Sequence, residues 1–297
     1  MELSAAIWCA ALLPSSMIVG DSLMSDLILV PQRMPPEDLS GRGYKKELNS
    51  PLYFEDPIDV FELQERLDLI VGRTIAELAI LAKVPIPKHN KSAKGLAGQL
   101  VEIFLGAHAG NLAKPDFPHL GIELKTVPIN FKCSPIASTY VCMANLHPRR
   151  FVPFKESTLY HKIRSLLLVF LLTTTSMPIW ERVVAGYCFY EPEPHIMQQI
   201  EVDYNEFQEL ILLGNTSKID GSYGNILQML PKGANANDTV LVRNEESETI
   251  ATMSRGYYLR NSFTKNVIQR YWYQDPLHQD YLAQLAEFKK TIPTCPR

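Results

Sequence analysis

Residues 94–126, KGLAGQLVEIFLGAHAGNLAKPDFPHLGIELKT, hold a predicted helix, a turn and a predicted strand that together decide the fold. Leu96–Leu105 combines strong helix formers with an apolar face, and Gly106 is suited to end the helix. Apolar and polar residues alternate over residues 121–127, which is the period of a β-strand. The two prolines of residues 114–118 exclude a helix between these elements and favour a turn.

Four charged side chains of this stretch point to metal-assisted chemistry. The strand directs Glu123 and Lys125 to one face, and the turn allows Asp116 to fold back beside them. Glu102 lies on the helix and can be brought over the same point. Converging carboxylates bind Mg²⁺ with several waters retained. The three acids are therefore the predicted Mg²⁺ ligands, and a neighbouring lysine suits phosphodiester hydrolysis by activating water or stabilising charge on a phosphate.

The order Pro115-Asp116, six residues, then Glu123-x-Lys125 matches the PD-(D/E)xK nuclease signature. A Glu-x-Lys pair is also common on solvated strand faces, so the signature alone leaves both interpretations open. The wider sequence resembles the MutH/Sau3AI family of endonucleases over roughly residues 60 to 272. The matching blocks follow the family's order at similar spacings and are Lys94-Gly95, residues 100–110, Asp116-Phe117, and residues 120–128, 139–142, 161–162, 231–236 and 255–259.

The resemblance implies an α/β fold of the restriction-endonuclease type. A mixed central sheet flanked by helices would carry the catalytic residues, and a DNA cleft would separate this lobe from one containing residues 202–272. In this interpretation Asp116 and Glu123 ligate the metal, Glu102 contacts a second metal or a water, and Lys125 activates water or stabilises the phosphate. Lys162 matches a family lysine implicated in catalysis or DNA contact.

The resemblance also implies a reaction and its partners. The expected reaction is Mg²⁺-dependent nicking of the unmethylated strand of double-stranded DNA at hemimethylated GATC sites, in methyl-directed mismatch repair. The expected state is a monomer activated by MutL, with MutS acting indirectly. Two alternatives stay open: a Sau3AI-like restriction enzyme that cuts both strands, and a DNA-binding protein without catalysis.

Several family positions predict DNA contacts. Lys94, Tyr140 and Tyr258 match family residues of that kind, although residues 255–259 by themselves predict an ordinary core strand with a glycine kink. The family reads base edges with the loop that contains Lys232. Lysine suits guanine, and glutamine suits adenine.

Leu230 departs from the family, whose known examples carry an arginine at this position. The departure leaves the recognised sequence open, or shifts the base contact to Gln228, Lys232 or another basic residue.

Composition restricts the class of protein. The 297 residues are 46% hydrophobic and 21% charged, which is typical of a soluble globular chain. The net charge of -3 is not that of a protein that coats nucleic acid, so positive charge must be concentrated locally. Five scattered cysteines without C-x-x-C spacing predict reduced thiols in the cytoplasm and offer no zinc site. No apolar run has the length of a transmembrane helix.

The remaining patterns predict the organisation around the central stretch. Residues 1–45 are predicted as a non-core extension, 46–273 as the endonuclease domain with two lobes, and 274–297 as a tail or helix. Thr74 and Glu77 form a predicted capping box. Further predictions are strands at Pro135–Leu146 and Leu166–Leu172, a helix at Val202–Leu213 with Asp203 on a solvated acidic face, and a helix at Asn261–Tyr273 capped by Asn261 or Ser262.

Overall fold

The computed structural model describes residues 54–86, 95–108, 113–147, 151–174, 177–233 and 238–273. Lys94, the predicted extension at 1–45 and the predicted tail at 274–297 lie outside these residues. The helices are α1 (Val60–Ile70), α2 (Ile75–Leu81), α3 (Leu96–Leu105), α4 (Thr158–Ile163), α5 (Pro194–Leu212) and α6 (Asn261–Ile268). The strands are β1 (Glu123–Ile129), β2 (Thr139–Met143), β3 (Leu166–Leu172), β4 (Val183–Tyr190), β5 (Leu227–Pro231), β6 (Thr239–Arg243), β7 (Thr249–Met253) and β8 (Arg255–Leu259).

A mixed sheet forms the centre of the fold, in the strand order β1-β3-β4. Strands β1 and β3 are parallel, and β3 and β4 are antiparallel. All seven residues of β3 are buried, as expected for an uninterrupted apolar strand covered on both faces. The predicted α/β fold with a mixed central sheet is confirmed.

The alternating side chains of β3 separate two hydrophobic cores. Leu167, Val169 and Leu171 face the core built with α1, α2 and α3. The other residues of β3, Phe170 among them, face a second core shared with β2, β5, β8 and α5. The sheet therefore lies between an amino-terminal layer of helices and a second sheet, and β1 forms one of its edges.

The start of α2 and the end of α3 are where the sequence predicts them. The Thr74 side chain accepts a hydrogen bond from the Glu77 backbone, and the Glu77 side chain accepts one from the Thr74 backbone, so the capping box is confirmed. Helix α3 ends at Gly106, whose φ of 75° lies in the left-handed region. A Cβ at Gly106 would lie 2.2 Å from the Glu55 carbonyl oxygen, so this position also has no room for a side chain.

The second sheet is antiparallel, in the order β2-β8-β5. Strand β2 covers Thr139–Met143 and starts later than the predicted Pro135, because Pro135 bridges Ile129 and the Ile136 N–H donates to the Pro128 carbonyl, both at the end of β1. A β-bulge lies between Tyr140 and Cys142. Strands β6 and β7 form a separate hairpin.

Two helix predictions are corrected. Helix α5 begins at Pro194, eight residues before the predicted Val202, because proline is favoured in the first turn of a helix even though it is excluded further in. The residue that precedes α6 is Arg260, so neither Asn261 nor Ser262 is the cap. Asn261 instead donates a hydrogen bond from Nδ2 to the Pro135 carbonyl at 2.9 Å.

Asp203 does not lie on a solvated face, so that prediction is wrong. The residue is 1% exposed, and its Oδ2 accepts hydrogen bonds from the backbone N–H groups of Ile226 and Leu227 at 2.6 and 2.8 Å. Its carboxylate thus joins α5 to the start of β5. Within the part of the chain that the structure describes, no helix is long and apolar enough to cross a membrane.

Candidate active site

The turn before β1 brings Asp116 beside that strand. Phe117 pairs with Ile122 in an antiparallel bridge, which closes the turn within six residues. The Asp116 Oδ2 atom accepts a hydrogen bond from the Leu124 backbone N–H at 2.9 Å, and Asp116 is 7% exposed. The local pattern of prolines and alternating residues thus gives the geometry that the sequence predicts: the Asp116 carboxylate on the turn lies next to the strand that carries Glu123.

Glu123 is the centre of the charged cluster. It is 1% exposed, and its Oε1 lies 2.5 Å from Lys125 Nζ. Lys162, from α4, donates to both carboxylate oxygens of Glu123 at 3.0 Å. Lys125 also donates to the Leu124 carbonyl oxygen at 3.1 Å. Two ammonium groups therefore compensate one buried carboxylate, as a buried charge requires.

Glu102 lies on α3, which packs so closely against β1 that a Cβ added at Gly98 would lie 3.7 Å from Thr126 Oγ1. Desolvation and then the Asp116 carboxylate raise the pKa of Glu102, although much of the residue stays exposed. Desolvation also raises the pKa of Glu123, with Lys125 opposing this and Asp116 adding to it. Glu102 and Glu123 are thus close enough to Asp116 for its charge to disfavour their ionised forms in the absence of a cation.

The carboxylates of the cluster fit a Mg²⁺ ion that keeps several of its waters. Among the described residues, no three His, Cys, Asp or Glu side chains lie close enough together to hold a metal ion. Mg²⁺ is usually held by only one or two carboxylates because it keeps several of its waters. Asp116 and Glu123 satisfy that requirement, and Glu102 lies within electrostatic range of both. A cation among them would relieve the repulsion that contributes to the raised pKa values of Glu102 and Glu123.

The predicted DNA contacts of the second sheet form one row. Tyr140 pairs with Tyr258, and Tyr258 pairs with Gln228, so the three side chains share one face of the sheet. All three are partly exposed, whereas Leu227 and Met229 on the opposite face are buried. The structure therefore brings together three residues that are separated by up to 118 positions in the chain, from 140 to 258.

Tyr140 connects this row to its neighbours. Its ring centroid lies 5.3 Å from that of Tyr258 in an edge-on arrangement, and Lys232 Nζ lies 4.3 Å from the Tyr140 centroid. Gln228 Nε2 donates a hydrogen bond to Ser138 Oγ. Desolvation raises the pKa of Tyr140 to about 12, and the charge of Glu123 contributes to the shift. The Tyr140 hydroxyl is thus within electrostatic range of the charged cluster.

Two residues at this site, Ser138 and Gly256, were not predicted from the sequence. Ser138 holds Gln228, and no motif indicated it. Gly256 was interpreted as a kink, but it leaves room for the Tyr140 ring. Arg164 ends the segment 151–164, whose mixture of basic and aromatic residues suits contact with a DNA backbone, and the structure puts its guanidinium against Gly121, two residues before Glu123. Leu230, where the family carries arginine, lies opposite Gly256 and is partly exposed.

The mixed sheet, the turn before β1 and the buried cluster of carboxylates and lysines define a restriction-endonuclease-like fold with an enzyme's site at the edge of its sheet. Residues 105–203 match the family model described as DNA mismatch repair enzyme MutH. The chain belongs to the MutH family of DNA mismatch repair enzymes.

Individual relatives agree with this membership. The DNA mismatch repair protein MutH of Shewanella baltica strain OS155 is 36% identical over 214 residues, which are 72% of this chain and 96% of that protein. The protein of the same description from Vibrio cholerae serotype O1 is 36% identical over 211 residues, 71% of this chain and 96% of its own length. That from Pectobacterium atrosepticum is 34% identical over 228 residues, 76% of this chain and 99% of its own length.

Proposed function

We propose that the protein is a Mg²⁺-dependent DNA endonuclease that nicks the unmethylated strand at hemimethylated GATC sites during mismatch repair. The observation that carries the proposal is the cluster at the β1 edge, where buried Glu123 contacts both Lys125 and Lys162 and lies near Asp116. Membership of a mismatch repair family supports the same reaction class. A cluster of carboxylates would hinder a protein that only binds phosphates, because like charges repel.

The side chains of the cluster have distinct roles in this proposal. Asp116 and Glu123 would hold Mg²⁺, and Glu102 would contact a second ion or a bound water. Mg²⁺, when bound, supplies a Lewis acid that neutralises phosphate charge and lowers the pKa of water. Lys125 orients the attacking water or stabilises the phosphate, and Lys162 holds the Glu123 carboxylate in place through two hydrogen bonds.

The second sheet would supply recognition. Tyr140, Gln228, Tyr258 and Lys232 share a partly exposed region that borders the cluster, so DNA would lie between the catalytic sheet and this sheet. Lys94, outside the described residues, would contribute a phosphate contact. The proposal includes a single domain over residues 46–273, a monomer in the cytoplasm, activation by MutL and an indirect role of MutS.

The test is nicking of a plasmid with one GATC site in unmethylated, hemimethylated and fully methylated forms, with Mg²⁺, with and without MutL. We expect nicks in the unmethylated strand only, more of them with MutL, and none on fully methylated DNA. Replacing Glu123 with alanine should abolish nicking while the protein still binds DNA. Nicking by that variant at the rate of the unchanged protein would show the assignment of Glu123 to be wrong.

The same assay separates the two alternatives. Double-strand cleavage by the purified protein alone would indicate a restriction enzyme. DNA binding without cleavage under any condition would indicate a binding protein. Cleavage at another sequence would retain the nuclease and assign the altered specificity to the region around Leu230.

A further inference from the structure

Gly256 lies on the outer face of β8, where the lack of room for a side chain, and not the backbone conformation, accounts for a glycine. Its backbone belongs to a regular strand, which any residue can adopt, and the residue is buried. It pairs with Met143 on one side and Leu230 on the other. Two positions along the same face lies Tyr258, which pairs with Tyr140. The glycine thus leaves a gap in a face otherwise covered by side chains.

The Tyr140 ring occupies this gap. It leans along the sheet from its partner Tyr258 toward Gly256. A Cβ added at position 256 would lie 2.8 Å from Tyr140 Cε2 and 3.3 Å from Cδ2, both ring atoms, and 3.1 Å from the Cys142 carbonyl oxygen. The first distance is too short for a carbon contact, so any larger residue must displace the ring.

Displacing the ring would move the groups around it. Lys232 Nζ lies 4.3 Å from the ring centroid, in the range of a cation–π contact. Tyr258 meets the same ring edge-on at 5.3 Å. The Lys232 N–H donates a hydrogen bond to the carbonyl of Ser254, the residue before β8, at 2.6 Å. This bond holds the Lys232 backbone next to β8, so we expect the side chains to rearrange before the backbone does.

We propose that Gly256 is a positioning residue for DNA recognition. Its missing side chain lets the Tyr140 ring lie against β8, and this fixes the ring and the Lys232 ammonium for contact with one DNA strand. The proposal rests on the proposed function, since the ligand is DNA. Gly256 itself touches no DNA and acts through Tyr140.

The experiment is a mutant cycle on the full chain. Gly256→Ala is made alone, with Tyr140→Phe and with Tyr140→Ala, and KM and kcat are measured for nicking a hemimethylated GATC duplex. Because phenylalanine keeps the ring, Gly256→Ala should raise KM about tenfold both alone and with Tyr140→Phe, with a smaller change in kcat. With Tyr140→Ala it should change KM less than about twofold, since the contact is already lost. An equal effect in all three backgrounds would overturn the proposal.

Gly221→Ala is the matched control, because a Cβ there would have no heavy atom within 4 Å. It should leave KM and kcat unchanged. If Gly256→Ala alone proves too unstable to assay, thermal unfolding decides: the double variant with Tyr140→Ala should regain stability relative to Gly256→Ala. Failure to regain it would contradict a clash with the ring.

The outcome is separable from that of the proposed function. If the unchanged protein nicks no duplex, the proposed function fails. The same cycle is then read from the dissociation constant of a fluorescent GATC duplex. The Gly256 inference stands if the coupling to the Tyr140 ring appears in that constant, and it falls if the effects simply add.

Discussion

Lys162 Nζ lies 3.0 Å from each carboxylate oxygen of Glu123, and both residues are almost completely buried. The two are 39 positions apart in the chain, and α4 carries the lysine to the edge of β1. Lys125 contacts the same carboxylate from its own strand. This arrangement makes Lys162 part of the structure of the site as well as a candidate for its chemistry.

Replacing Lys162 with methionine should therefore reduce both stability and nicking. The change leaves the Glu123 carboxylate buried with only Lys125 as compensation, and removing one partner of a buried pair costs about 3 kcal/mol or more. Urea unfolding with and without the substitution measures the loss. Lys155→Met, at an exposed lysine, is the control and should change stability little. A Lys162→Met protein as stable as the original would show that the pair contributes nothing.

Replacing Glu102 with glutamine should stabilise the protein when divalent cations are absent. Desolvation and the Asp116 charge raise the pKa of Glu102 above its ordinary value of 4.5, so its ionised form is disfavoured in the folded state. The unchanged protein therefore loses stability relative to the variant as the pH rises above 4.5, and the two should be equally stable below about pH 4. Because Glu102 is exposed, we expect a gain below about 1 kcal/mol at pH 7.

Thermal unfolding across this pH range, with EDTA or with Mg²⁺, measures the effect. Bound Mg²⁺ should remove or reverse the advantage of the variant if Glu102 belongs to the metal site. Glu209→Gln, on an exposed part of α5, serves as the control. An unchanged advantage in Mg²⁺ would exclude Glu102 from the site.

Replacing Arg164 with glutamine should weaken the salt dependence of DNA binding. Arg164 is exposed, its side chain makes no hydrogen bond or ion pair with the described residues, and its guanidinium lies against Gly121 next to the charged cluster. One phosphate contact contributes about 0.9 to the slope of log affinity against log salt. We expect the slope to decrease by this amount for every DNA sequence, as measured by fluorescence anisotropy at several salt concentrations. Arg243→Gln, at an exposed arginine on β6, should leave the slope unchanged.

Cys142 should resist alkylation in the folded protein. Burial raises the pKa of its thiol to about 12, with Lys162 and Lys125 opposing the shift. The thiol is therefore neutral and inaccessible at pH 8, and iodoacetamide should modify it only after unfolding. The difference in stability between the unchanged protein and Cys142→Ala should be constant below pH 9. Between pH 9 and 12 the unchanged protein should lose stability relative to the variant, because its thiol ionises in the unfolded state but stays neutral in the folded state. Rapid native labelling, read by mass spectrometry of the peptide, would contradict the burial.

The sequence alone determined the local elements of this protein. Residue alternation predicted β1, the apolar run predicted β3, and Thr74 with Glu77 predicted the start of α2, each confirmed within a residue or two. These features depend on residues that are close together in the sequence, because side-chain periodicity and helix capping involve positions only a few residues apart. The family resemblance, carried by ordered sequence blocks, predicted the mixed α/β fold.

Only the tertiary structure decided which distant residues meet. The contact of Lys162 with Glu123, the row of Tyr140, Tyr258 and Gln228, and the ring over Gly256 all join separate strands or helices. Asp203 was misassigned for the same reason, since its helix pattern predicts a solvated position but its partners Ile226 and Leu227 lie 23 and 24 residues later. Pairing across such distances depends on how whole elements pack against each other, and no short sequence pattern carries that information.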